Sequence, residues 1–125
     1  KKILFAKKER KSSVSLWGDG TPTRDFLYVD DAAEGIVLTG EKYSKSIPLN
    51  LGTGIEISIK ELAEKLLKII NVDLEIIWET DKPNGQPRRC VDNQKAKNEI
   101  EFESKISMNE GLKRTVEWYE AKFSR

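Results

Sequence analysis

Leu16-Trp17-Gly18-Asp19-Gly20-Thr21-Pro22-Thr23-Arg24-Asp25-Phe26-Leu27-Tyr28-Val29-Asp30-Asp31 is the stretch on which the fold turns. It opens on the end of a short strand, Val14 to Trp17, and two glycines and a proline within Gly18 to Pro22 force a loop. Phe26 to Val29 is aromatic and apolar, the composition of a second strand or extended segment. Asp30 and Asp31 then offer an N-cap for a helix whose Ala33, Ile36 and Val37 share one face, with Gly40 weakening its later turns. Strand, loop, strand and helix in succession predict a mixed α/β unit.

Outward from this stretch the pattern continues. Upstream, residues 1–11 have the composition of the tail of a basic helix, ending before Ser12-Ser13. Downstream, Pro48 to Leu51 reads as a short strand closed by Gly52-Thr53-Gly54. Ser58 and Glu61 have capping-box spacing, and Ile59, Leu62, Ala63, Leu66, Leu67 and Ile70 repeat at helical intervals behind them. Leu74 to Trp78 reads as a strand, and Glu79 to Arg89, with Pro83, Gly85 and Pro87, as a loop. Cys90-Val91 is a brief extended piece before a short helix near Asn93 to Glu99. Ser107 and Glu110 cap a last helix with Leu112, Val116, Tyr119 and Phe123 on one face. No repeat, low-complexity tract or linker interrupts the 125 residues, so residues 1–125 are expected to form one mixed α/β domain.

Composition removes several functions. With 38% hydrophobic and 34% charged residues and no apolar run near the roughly 20 residues of a membrane helix, the expectation is a soluble chain with no membrane partner. Nothing at the N-terminus resembles a signal peptide, and the lone Cys90 cannot form an internal disulfide, so a cytoplasmic setting is expected. Cys90 itself is expected to be a buried structural thiol. The chain has no histidine, which eliminates Ser-His and Cys-His pairs and the commonest metal ligand. Residues 1–11 carry six Lys/Arg against Glu9 alone, but Phe5 is their only aromatic and the later helices mix both signs. Nucleic-acid binding is therefore not expected. The chain opens on Lys1, and the expectation is a portion of something longer.

Three turns remain as candidates for chemistry. Gly52-Thr53-Gly54 begins like a dinucleotide-binding turn, but Ile57 stands where the third glycine belongs and the helix cap at Ser58 comes too late for its N-terminus to face a pyrophosphate. The other two are the Leu16 to Asp31 stretch and Lys82-Pro83-Asn84-Gly85-Gln86-Pro87-Arg88-Arg89. Both present guanidinium groups on Gly/Pro-rich loops, and arginine is the residue best suited to a bidentate grip on phosphate oxygens. The alternative is two surface turns, with Arg24 paired to Asp25 or another nearby acid and Trp17 packed in the core. Residue chemistry alone leaves both open.

In order and spacing, Trp17 to Asp31, Asn50-Leu51-Gly52-Thr53-Gly54 and Lys82 to Arg89 resemble the C-terminal, substrate-binding part of extended short-chain dehydrogenase/reductase enzymes of the NAD-dependent epimerase/dehydratase family. The similarity runs from roughly Ile3 to Phe123. It is strongest toward the branch that converts GDP-4-keto-6-deoxy-mannose by NADP-dependent epimerisation and reduction. The resemblance implies a nucleotide-diphosphate sugar, most of all a GDP-sugar, held by Trp17, Arg24, Asn84, Arg88 and Arg89. Trp17 would border the ligand, Arg24 would contact diphosphate or sugar, and the loop from Asn84 to Arg89 would close over the nucleotide. Asn84 departs from the aspartate usual there and loses its charge. The resemblance implies NADP for the full-length enzyme and no cofactor or catalytic residue in this chain. The three-glycine cofactor turn is absent, and Tyr28, Tyr43 and Tyr119 have Ala32, Ile47 and Phe123, not lysine, four residues on. Two further expectations compete with ligand binding. A stand-alone chain, lacking the dinucleotide-binding half, would expose the helix face of Ala33, Ile36 and Val37 and the Pro48 to Leu51 edge, and would self-associate through them. Nucleic-acid binding through residues 1–11 ranks last.

Overall fold

The computed structural model describes residues 1–123. In chain order the elements are α1 (Lys2–Lys8), β1 (Ser13–Trp17), β2 (Thr23–Asp25), α2 (Val29–Lys42), β3 (Glu56–Ser58), α3 (Ile59–Ile70), β4 (Glu75–Glu79), β5 (Arg88–Arg89), α4 (Gln94–Ile100) and α5 (Met108–Phe123). The chain is mixed α/β, as the sequence predicts.

Two small sheets organise it. β1 and β4 pair in parallel, Ser13 opposite Glu75 through Trp17 opposite Glu79. The second sheet has the order β3-β2-β5, with β2 antiparallel to β3 and parallel to β5. Two cores are buried in the chain. Ile3 and Ala6 of α1, Val14 of β1, Ile70 of α3, Leu74 and Val116 of α5 are buried together beside the first sheet. Ala96, Ile100 and Phe102 form the second core, against which Leu27, Leu38, Leu49 and Leu51 pack.

α3 follows its sequence closely. The Ser58 Oγ accepts from the Glu61 backbone N–H at 3.1 Å, and the Glu61 carboxylate accepts from the Ser58 backbone N–H at 2.9 Å, the reciprocal pair of a capping box. Asn71 ends the helix in the left-handed region at φ 52°. α5 starts as expected, with the Glu110 N–H donating to Ser107 Oγ at 3.3 Å. Val116 is buried, whereas Phe123 is exposed and stacks on Tyr119 with ring centroids 4.7 Å apart.

Five expectations give way. The strand after the glycine loop is Thr23–Asp25, not Phe26 to Val29, because pairing partners lie on both sides of Thr23 and Arg24 and none reaches Phe26. α2 then begins at Val29 with Tyr28 as N-cap and no side-chain cap. Asp31 cannot cap it, since its Oδ2 accepts the backbone N–H groups of Lys105 and Ile106 at 3.1 and 2.9 Å across the molecule. Pro48 to Leu51 forms no strand; Leu49 and Leu51 turn into the second core instead. Arg88 and Arg89, assigned to a loop, are a two-residue strand. Cys90 is half-buried, not buried.

α2 buries Asp31 and Gly35 and turns Ala33, Ile36 and Val37 outward. Gly35 explains the choice of face: a Cβ there would stand 2.9 Å from both Leu51 Cδ1 and Phe102 Cε2, so the helix backbone lies directly on the second core. The outward face stays apolar, with Val29 and Ile36 each 66% exposed.

Candidate functional site

The three-stranded sheet places the arginines. Thr23 pairs with Arg88 and Arg24 with Arg89 along β2 and β5, while Thr23 faces Ser58 and Arg24 faces Ile57 along β2 and β3. Side chains alternate along a strand, and partners in register share a face. One face therefore carries Thr23, Asp25, Glu56 and Arg88, and the other carries Arg24 and Arg89 beside the buried Ile57.

The two faces differ in charge balance. On the first, Glu56 takes the Arg88 guanidinium at two points, Nε at 2.9 Å and Nη2 at 2.8 Å, and also accepts from the Thr23 hydroxyl at 2.7 Å. Bidentate pairing of this kind fixes both side chains. The Arg88 hydrogen bond holds the Glu56 carboxyl below its ordinary range, helped by Thr23, and Glu56 in turn raises the Arg88 guanidinium. On the second face the ion pairs found among the described residues include neither Arg24 nor Arg89. Among the described residues Arg24 has one internal acceptor, the Thr23 carbonyl, 2.6 Å from Nη1. Two like charges in register on neighbouring strands repel unless something negative lies between them. The surface they make suits an oxyanion.

The pairing of Arg24 with Asp25, left open by the sequence, does not occur. Asp25 holds the Gly52-Thr53-Gly54 turn: its Oδ1 accepts from the Thr53 N–H at 3.1 Å and the Thr53 hydroxyl at 2.5 Å, and its Oδ2 from the Gly54 N–H at 2.9 Å. This also disposes of the turn as a pyrophosphate cradle. The amides that would face a dinucleotide already face a carboxylate, so the residues here do not fit the NADP that the resemblance implies for the full-length enzyme. Asp25 carried no signal in the sequence beyond its position beside Arg24.

Trp17 is not packed in the core. It ends β1 opposite Glu79 and is 62% exposed. Next to it the Gly18–Gly20 turn meets the loop from Asp81 to Pro87. Asn84 Oδ1 accepts from the Asp19 N–H at 2.8 Å, and the Pro87 carbonyl accepts from the Thr23 N–H at 2.9 Å. The Thr21 hydroxyl and amide, and then Asn84, hold the Asp19 carboxyl below its usual range. Of the five residues singled out by sequence, the structure sets Arg24 and Arg89 side by side on one face. Asn84 is seated on the Gly18-Asp19 turn next to Trp17, and Arg88 is on the opposite face with Glu56. Glu56, which separates the roles of the two adjacent arginines, was invisible without the strand register.

The chain is similar to known proteins over most of its length. The NAD dependent epimerase/dehydratase family matches residues 2–52. The putative GDP-L-fucose synthase 2 of Arabidopsis thaliana is 40% identical over 114 residues, 91% of this chain and 34% of the plant protein. The structure of a GDP-L-fucose synthetase from Naegleria fowleri bound to NADP superposes with a TM-score of 0.90 at 25% identity, over 98% of this chain and 39% of that one. UDP-glucose 4-epimerase of Thermotoga maritima, solved with UDP-glucose, gives 0.83 at 32% identity over 96% of this chain and 38% of its own. The chain spans about a third of the length of the curated relatives it matches. On fold, motif order and these similarities together, the chain resembles the NAD dependent epimerase/dehydratase family, whose model matches residues 2–52, and over most of its length it is similar to GDP-L-fucose synthases.

Proposed function

We propose that this chain is the substrate-holding portion of a nucleotide-sugar epimerase/reductase, in which Arg24 and Arg89 grip the diphosphate of a GDP-sugar. The observation that carries this is the in-register placement of those two guanidinium groups on one face with no carboxylate paired to them among the described residues, while the neighbouring Arg88 is neutralised by Glu56. Each guanidinium offers paired donors at a spacing that matches two phosphate oxygens. The exposed Trp17 supplies an aromatic wall for base or sugar at the edge of the same loop system. The choice of GDP follows the names of the relatives. NADP and the proton-transfer chemistry belong to the remainder of such an enzyme, since no tyrosine here has a lysine four residues on. The chain alone holds the sugar nucleotide without turning it over, in a cytoplasmic setting where Cys90 stays reduced.

Titration calorimetry of the 125-residue chain with GDP and GDP-mannose tests this. Millimolar or tighter binding is expected, weakened about tenfold or more by Arg24→Ala or Arg89→Ala, the size of a lost charge-assisted contact. A folded chain that binds neither ligand would contradict the proposal.

A second function has its own observation. Val29, Ala33, Ile36 and Val37 form a continuous apolar stripe on the outer face of α2, and a Cβ on Gly40 would meet nothing within 4 Å. We infer that this stripe drives self-association when nothing else covers it. Light scattering is expected to show a dimer or larger assembly that Ile36→Glu converts to monomer; a monodisperse monomer at millimolar concentration would sink it.

A further inference from the structure

Every residue from Asp81 to Arg89 is exposed, so no core holds this loop in place. Polar contacts hold it instead. The Lys82 N–H donates to the Glu79 carbonyl at 3.0 Å at one end, and the Thr23 N–H donates to the Pro87 carbonyl at 2.9 Å at the other. Among the described residues its middle is fixed by the Asn84 carboxamide, through the bond from the Asp19 N–H to Oδ1 at 2.8 Å.

The Gly18-Asp19 turn is shaped to receive that carboxamide. Gly18 has φ +78°, and a Cβ there would stand only 2.0 Å from Asn84 Oδ1, so a side chain at this position and a seated Asn84 exclude each other. The Asp19 carboxylate is turned toward its own loop, accepting from the Thr21 N–H at 2.9 Å and hydroxyl at 2.7 Å, which leaves the Asp19 amide to residue 84. Seating Asn84 also sets its neighbour: a Cβ on Gly85 would lie 3.8 Å from Arg24 Nη2.

We propose that Asn84 is the latch of this loop, a positioning residue that acts through the Asp19 amide and not by touching the ligand. With the latch seated, the loop backbone at Gly85 lies along the Arg24 guanidinium and covers an anion held between Arg24 and Arg89. With it released, the loop swings from its two ends and that side of the anion opens to water. The latch bond needs an acceptor oxygen at residue 84. Aspartate keeps that acceptor but sets a second carboxylate beside Asp19, and alanine removes the bond altogether. The inference rests on Arg24 and Arg89 as the anion-binding pair, and its test keeps the two apart.

The test uses the 15N-labelled 125-residue chain, its Asn84→Asp and Asn84→Ala variants, and GDP as the probe. Amide exchange at Asp19 reports the latch without ligand, and the GDP dissociation constant and rate report its consequence. Asn84→Ala is expected to accelerate Asp19 exchange about fivefold or more and to weaken GDP about tenfold through faster dissociation, as for one lost hydrogen bond to an ordered loop. Asn84→Asp is expected to keep the Asp19 amide protected and to bind GDP more tightly than Asn84→Ala. Equal loss of GDP affinity in both variants, with Asp19 still protected in Asn84→Asp, would make residue 84 a direct contact and overturn the latch. So would an alanine variant unchanged in exchange and affinity. If the wild-type chain does not bind GDP, the anion pair fails, and the latch stands or falls on whether Asp19 protection is lost in Asn84→Ala and kept in Asn84→Asp.

Discussion

Arg88 and Arg89 are adjacent in the chain and opposite in circumstance. A two-residue strand sends them to different faces, and Glu56 on the opposite edge strand, across β2, meets only the first. The sequence marks both as cations on a Pro-rich loop and cannot separate them, because the separation depends on a strand that begins 32 residues away from its partner. The same holds for Asp25: its place beside Arg24 suggests an ion pair, yet alternation turns it to the other face, where the Thr53 and Gly54 amides await it. The Glu56–Arg88 pair has a defined pH response. Because the folded Glu56 carboxyl titrates below its ordinary range, its contribution is fully present above the unfolded glutamate value and is lost as pH falls through the lowered folded value. Backbone shifts of Arg88 and Thr23 followed by NMR should hold steady above about pH 5 and move together only below about pH 4. A transition near neutrality would show that the pair is not what joins β5 to β3.

At the scale of elements, legibility follows locality. α3 is readable because its cap, its stripe and its end all lie within fourteen residues, Ser58 to Asn71, and each is a short-range signal. Ser58→Ala should lower stability by about 0.5–2 kcal/mol in chemical denaturation, the usual cost of losing a capping hydroxyl; no change would mean that packing against α5 alone holds the first turn. β2 is misplaced by three residues for the opposite reason. Phe26-Leu27-Tyr28 has the better strand composition, but Thr23 and Arg24 have the partners, and pairing outweighs propensity in so short a strand. β5 had no local signal at all. The loops of the candidate site were legible as loops because glycine and proline announce them, whereas the contacts that give them a shape, Asn84 to Asp19 and Pro87 to Thr23, are long-range and silent in the sequence.

At the scale of the molecule, two cores support two tasks. The core of α1, β1, α3 and α5 carries Trp17 at the end of its sheet, and the core of Phe102, Ile100 and Ala96 braces α2 and the turn held by Asp25. Phe102 is 1% exposed and lies against Gly35, so Phe102→Ala should cost about 3–5 kcal/mol and detach α2, a large fraction of the stability of a domain this size. Thermal unfolding within a degree or two of the wild type would show that α2 is held by other contacts. The proposed binding face stands on the contrast between neighbouring arginines, and calorimetric titration of GDP into Arg88→Ala and Arg89→Ala measures that contrast directly. Arg89→Ala is expected to weaken GDP about tenfold or more, while Arg88→Ala stays within about threefold because Glu56 already occupies that guanidinium. Equal losses in the two variants, or a greater loss on removing Arg88, would contradict the assignment of the anion to the Arg24–Arg89 face.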